Sequence, residues 1–337
     1  MRTTTTNGDA GGLAADARRA VEEAVWAPSV NNTQPWEFGV HGTRIALRAD
    51  PDRRLEVADP DGREMLISGG AALYTLRLSL RAMGYTPAVR LLPDPDRPNL
   101  LAEIDMVPGE PADDDVLREH AQIRRRRSHR GGFRPGPVPA GVLASLRYTA
   151  EGEGARLVAA VEAHTKGALA ALTDAADHVQ HRSPAYAAEI ARWAPAPGTS
   201  RKDGVQHGAY PRRTPHTAPY FPARDFARGL GWGVDTDPAE TAATGLVVLL
   251  VTAGDAPADW LRAGQALQRV LLRAAGHDLS AAYHTQALQV PELRAFIGAR
   301  FCGDGHPQML LRLGVADGEE LPSVRRPVEE VLTEETS

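Results

Sequence analysis

The sequence contains one cysteine, Cys302, in 337 residues. A lone cysteine excludes an internal disulfide framework and points to a reducing, cytoplasmic setting. No apolar run approaches the roughly 18 residues that a membrane span needs. The opening MRTTTTNGDAGGLAADARR lacks the apolar stretch of a secretory signal. Basic residues are not in excess: 38 Lys and Arg against 43 Asp and Glu leave a net charge of -5. That balance argues against nucleic acid as the main partner and leaves a small molecule as the expected one. The histidines have no metal-ligand spacing, and His207 and His216 lack partner cysteines or carboxylate pairs. No G-x-S-x-G, Walker A or zincin motif is present.

A hydrophobic content of 42% supports a real core, and the length suits one large domain or two ordinary ones. Residues 1–12 and 331–337 are expected to be disordered tails. Apolar spacing predicts a helix over 14–26, stopped before Pro28. Strands are expected at 36–40 and 44–48, joined at His41-Gly42-Thr43 as a hairpin. Asp61 is the expected cap of a helix over 63–83. That helix carries Gly69-Gly70, a pair that weakens it by about 1 kcal/mol per glycine. Close passage of another helix, or of a flat ring, accounts for such a pair. Strands follow at 88–92 and 101–107, and the acidic, proline-rich 108–115 reads as a boundary.

Beyond it, helices are expected at 140–150, 158–174, 184–193, 258–275 and 291–297. Buried strands are expected at 245–253 and 309–315, with 280–286 a polar connector. Residues 195–233 form a long loop rich in Pro, Gly and Arg, expected to act as a lid or arm. Its Gly229-Leu230-Gly231-Trp232-Gly233 has a dinucleotide loop's composition without the strand and helix that such a loop joins.

Two short stretches are more specific. Ser29, Asn32, Gln34, Pro35 and Trp36 spell S-x-x-N-x-Q-P-W, and Arg126-Arg127-Ser128-His129-Arg130 forms an arginine-serine cluster. The first resembles the flavin-contacting loop of the nitroreductase superfamily. The second resembles the R-R-S-x-R that holds the FMN phosphate and opens ordinary members of that superfamily. Here their order is inverted. The inversion resembles the tandem, Acg-type nitroreductase-like proteins, and implies an α+β nitroreductase-like fold built from two fused units, an intrachain pseudo-dimer. The units would be residues 13–117 and 118–330. One would contribute the S-x-x-N-x-Q-P-W loop and the other the phosphate grip, giving one FMN per chain.

The resemblance implies FMN contacts from Pro28, Ser29, Asn32, Gln34, Arg126, Arg127, Ser128, Arg130, Tyr283, His284, Arg325 and Arg326. Arginine forks suit a phosphate dianion because they bind two oxygens at once and stay charged. Whether Arg126 or Arg127 does so is open. Asn32, with the N–H groups of Ser29 and Val30, is the candidate for ring contacts, while Gln34 supports the loop and Trp36 belongs to the core. Tyr283 or His284 would line the substrate face, unless His284 is an exposed loop histidine. The implied activity is hydride transfer from NAD(P)H through FMN to a small acceptor, a nitroaromatic, a quinone or a pathway-specific compound. A protein that sequesters FMN with little turnover is the alternative. Internal duplication makes a monomer or a homodimer equally compatible with the sequence.

Overall fold

The computed structural model describes residues 7–210, 216–226, 241–318 and 323–334. The first part of the chain runs α1 (Asn7–Ala24), β1 (Trp36–His41), β2 (Arg44–Ala49), α2 (Arg63–Ala82), β3 (Tyr85–Leu91), β4 (Leu100–Pro108) and α3 (Asp114–His120). Then come α4 (Ala140–Glu151), β5 (Arg156–Ala160), α5 (Ala163–His181), α6 (Pro184–Arg192), β6 (His216–Thr217) and β7 (Thr241–Ala242). The remainder is β8 (Leu246–Thr252), α7 (Pro257–Ala275), β9 (Ser280–Tyr283), α8 (Pro291–Phe301), β10 (His306–Gly314) and β11 (Leu332–Glu334). The architecture is mixed α+β, with a five-stranded sheet ordered β11-β1-β2-β4-β3 and a four-stranded sheet ordered β5-β8-β10-β9.

Each sheet packs its helices into a separate core. Trp36, Phe38, Ile45, Leu47 and Ile104 meet α1 and α2 in the first. Val248, Leu250, Leu311 and Leu313 meet α4 and α7 in the second. The two cores join where α2 crosses α7. A Cβ on Gly70 would sit 2.2 Å from the Leu261 carbonyl, and one on Gly264 would sit 2.0 Å from the Ile67 carbonyl. Each glycine thus meets the carbonyl three residues before the other, a locally two-fold contact that only bare Cα atoms permit. Ile67 of α2 packs into the second core and Leu261 of α7 into the first. Of the two explanations for Gly69-Gly70, the passage of a helix is the one seen at Gly70, while Gly69 faces Leu101.

Several sequence expectations differ from the fold. Helix α1 begins at Asn7, inside the expected N-terminal tail, and β11 takes 332–334 out of the expected C-terminal one by pairing parallel to β1. The boundary expected at 117/118 falls within α3, which packs Val116 against Tyr74 and Leu78 of α2. Residues 156–160 are strand, and the helix expected from 158 starts at Ala163. A short apolar run is ambiguous on its own, and pairing of Val158 with Leu249 decides it. The connector expected at 280–286 contains β9, a four-residue edge strand held on β10. Asp61 does not cap α2; Asp59 does, accepting from the N–H groups of Glu64 and Met65 at 3.0 and 2.8 Å. The Gly-rich run 229–233 lies outside the described residues. No helix among those described is long and apolar enough to cross a membrane.

Candidate functional site

The chain between α1 and β1 is a tight loop in which Asn31, Asn32 and Gln34 all have left-handed φ, 48°, 53° and 50°. Asparagine tolerates this conformation better than most residues, because its short side chain bonds locally. Ser29 closes the loop: its Oγ accepts from the Gln34 N–H at 3.0 Å. The Asn32 amide donates to the carbonyls of Gly204 and Val324 at 2.9 and 3.3 Å, and its Oδ1 accepts from Arg325 at 3.1 Å. Asn32 is thus a fastener of three chain segments, with its polar atoms engaged by protein. The Val30 N–H, expected as a ring contact, donates instead to Ser68 Oγ at 3.2 Å.

The arginine-serine stretch follows α3 and is pinned to β9, where the His129 N–H donates to the Ala281 carbonyl at 2.8 Å. Arg126, Arg127 and Arg325 gather here around Trp26. The Arg127 and Arg325 guanidinium groups stand 5.3 and 5.6 Å from the Trp26 ring, and Arg126 donates to the Trp26 carbonyl at 3.1 Å. Arg130 lies over Tyr210 and donates to the Ala209 carbonyl. None of the four makes an ion pair with a carboxylate among the described residues. Nε and Nη1 of Arg126 and Nε of Arg325 are buried without a hydrogen-bond partner. Burial, then repulsion from Arg126 and Arg127, pushes Arg325 down to about 9, and burial lowers Arg126 and Arg130 as well.

Beside this cluster opens a cavity with about 1320 Å³ of space free of protein atoms, its solvent-facing mouth included. Pro28, Ser29, Asn32, Ser128, Arg130, Tyr283, His284 and Arg325 line it. Both sequence motifs therefore face one space, at the seam between the two cores. Four of the expected residues do not line it. Gln34 supports the loop, with its amide donating to the Lys202 carbonyl at 2.8 Å and its Oε1 accepting from the Arg326 N–H at 2.8 Å. Arg326 is buried and tied to the Glu330 carbonyl at 2.8 Å. Arg126 and Arg127 border a separate cleft with Arg125 and Arg134.

The rest of the lining comes from residues to which the sequence reading assigned no role in the site. Glu64 and Ser68 of α2, Arg224, and Arg312 of β10 line the cavity, as do Tyr210 and Phe226 of the long arm. His284 is buried, contrary to the exposed position considered for it. Arg312 Nε donates to His284 Nε2 at 2.8 Å, and Nδ1 faces the Pro222 carbonyl at 3.3 Å. An imidazole that accepts at Nε2 must carry its proton on Nδ1. Burial, reinforced by the Arg312 charge, holds His284 well below the usual histidine range. Arg312 is itself sandwiched between Phe133 and Phe221, 5.4 and 5.6 Å away, and burial brings it down to about 10. An arginine inside the apolar strand Met309-Leu310-Leu311-Arg312-Leu313 was the signal available, since a charge in such a run needs a partner or a cavity.

No protein-family model matches the chain. Rv3131 of Mycobacterium tuberculosis H37Rv, provisionally named an NAD(P)H nitroreductase, is 34% identical over 322 residues, 94% of this chain and 90% of its own length. The Mycobacterium tuberculosis protein named Acg, under the same provisional activity, is 30% identical over 318 residues and 94% of each chain. Among solved structures, a BluB-like flavoprotein from Clostridium difficile 630 overlaps 63% of this chain and 96% of its own, at 15% identity and a TM-score of 0.41. A nitroreductase with bound FMN from Bacteroides fragilis overlaps 62% and 94%, at 13% identity and a TM-score of 0.37. The likeness to Rv3131 and Acg spans 94% of this chain, and the chain belongs to the Acg-type family of nitroreductase-like proteins.

Proposed function

We propose that this chain is an FMN-dependent oxidoreductase, which takes a hydride from NAD(P)H and delivers it to a small acceptor such as a nitroaromatic or a quinone. The observation that carries the reading is the group of arginines without carboxylate partners beside the cavity. Buried cations with orphaned N–H groups are costly, and a phosphate dianion supplies both the missing charge and the missing acceptors. Arg130, Arg325 and Ser128 would hold the phosphate directly, with Arg126 adding to the positive field. Pro28 and Ser29 would form a wall for the ring, while Asn32 and Gln34 fix the loop that carries them. Bound there, the flavin supplies two-electron transfer between donor and acceptor. Arg312 adds positive charge to the lining beside His284, which favours an electron-rich occupant.

We infer also that the chain is an intrachain pseudo-dimer with one flavin site. The reciprocal contacts of Gly70 and Gly264, and the exchange of Ile67 and Leu261 between cores, support a local two-fold axis. Around that axis Ile67, which lines the cavity, corresponds to Leu261, which is fully buried and packs in the core that contains Leu101.

A second reading, FMN sequestration, draws on the arm. Its residues 202–204 are bonded to Gln34 and Asn32, and Asp203 pairs with Arg53 at 2.8 Å. A flavin beneath an arm fastened in this way is shielded from large donors. Anaerobic addition of NADPH to the FMN-loaded protein separates the two readings. Rapid bleaching of the yellow colour supports the oxidoreductase. A flavin that stays oxidised with NADPH yet bleaches with dithionite supports sequestration.

A further inference from the structure

We propose that Arg224 forms a carboxylate-binding subsite, so that the acceptor used by this protein is a planar molecule bearing one carboxylate; the inference rests on the flavin reading above. Arg224 lines the cavity on a segment fixed by the Pro222 carbonyl, which accepts from His284 Nδ1 and Gln286 Nε2 at 3.3 and 3.4 Å. One edge of its guanidinium is anchored, with Nη2 donating to Gln289 Oε1 at 3.0 Å. Nη1 is buried and has no partner. No carboxylate among the described residues stands within ion-pair distance of Arg224, although Asp177 feels its charge from farther away.

Glu64 shares the wall but is already engaged. Its Oε1 accepts from Arg63 at 3.1 Å and its Oε2 from Gln289 at 2.7 Å. The carboxylate is thereby paired with the Arg63 cation, and Gln289 bridges it to Arg224. Arg224 thus stands at the cavity wall as a positive charge without a carboxylate partner among the described residues, and its Nη1 has no acceptor among them. A phosphate dianion calls for several guanidinium groups, as gathered beside Trp26. A single charge with a single open edge matches a monoanionic carboxylate. Tyr210 and Phe226, with ring centroids 5.7 Å apart, add an aromatic wall that suits a planar body.

Calorimetric titration of the FMN-loaded protein with benzoate, benzamide and phenyl phosphate tests the subsite. Benzoate should bind at least about tenfold more tightly than benzamide, the factor expected for a charge-assisted bond to a half-buried arginine. Arg224→Gln should remove that preference while retaining FMN, and Arg224→Lys should restore part of it. Equal binding of benzoate and benzamide by the wild-type protein would overturn the proposal without requiring any variant. So would tighter binding of phenyl phosphate than of benzoate, or an undiminished preference in Arg224→Gln. A wild-type protein that takes up no FMN would instead overturn the flavin reading, and this subsite with it.

Discussion

Arg325 donates from Nη1 to Asn32 Oδ1 at 3.1 Å, across 293 residues of sequence. That bond ties the loop before β1 to the segment that carries the chain back to β11. Asn32 also donates to Gly204 and Val324, so removal of its side chain strands the Gly204 carbonyl and costs Arg325 one of its acceptors, while Arg325 Nη1 keeps the Val324 carbonyl at 2.8 Å. Asn32→Ala is expected to lower stability by about 1–3 kcal/mol, the cost of leaving buried polar groups unpaired. FMN retention should fall with it. Denaturant unfolding and flavin content after gel filtration read the two effects, and an unchanged midpoint would contradict the fastening role.

Glycine replacement should have opposite signs at two helical sites. Gly264→Ala places a methyl 2.0 Å from a backbone carbonyl that has no rotamer to change, so α2 and α7 must separate. Overpacking of this kind costs about 1–3 kcal/mol or more, which exceeds the roughly 1 kcal/mol that alanine gains in a helix. Gly167 of α5 has nothing within 4 Å of its Cβ position, and Gly167→Ala should stabilise by up to about 1 kcal/mol. Thermal melts of both variants test the pair. Equal shifts would show that the crossing tolerates separation.

Asp59 gives stability an unusual pH dependence. Burial, reinforced by the charge of Glu64, pushes its carboxyl up to about 6, despite the two N–H groups that favour its ionised form. The folded chain then keeps this proton to a higher pH than the unfolded chain, whose aspartates release theirs near about 4. Stability from protonated Asp59 is present below the unfolded value and is lost as pH rises through about 6. Asp59→Asn removes that loss. Its melting temperature should gain on the wild type as pH is raised from about 4.5 to about 7. Parallel curves would assign the dependence to other groups.

The order of most elements was legible because their patterns are strong: alternation in β1 and β2, a long apolar face in α2, and a continuous apolar run in β8. The site was legible in part. Ser29, Asn32, Ser128, Arg130 and Arg325 could be named because their types and spacing carry a family pattern. Their individual tasks could not, since the engagement of Asn32 with Gly204 and Val324 depends on segments remote in sequence. Arg224 lies in a stretch without periodicity, and only the fold brings it beside Gln289. Likewise β5 and β9 are four or five residues long and become strands through pairing with β8 and β10. Capping by Asp59 rather than Asp61 turns on a left-handed Gly62, with φ at 72°, which local composition does not fix.

His284 should be neutral across physiological pH with its proton on Nδ1. Its ring receives the Arg312 N–H at Nε2 and is held well below the usual range by burial and by that charge. Nitrogen NMR of the imidazole is expected to show one fixed tautomer and no titration near pH ~6.5, the ordinary histidine value. A full titration there would break the Arg312–His284 relationship.

The proposed function depends most on a single anion-holding cavity at the seam of the two cores. Its most direct test is the stoichiometry of FMN uptake, followed by quenching of flavin fluorescence as protein is titrated into FMN. One FMN per chain is the predicted end point, with affinity reduced about tenfold or more in Arg130→Ala and Arg325→Ala. Two FMN per chain, or none, would contradict it.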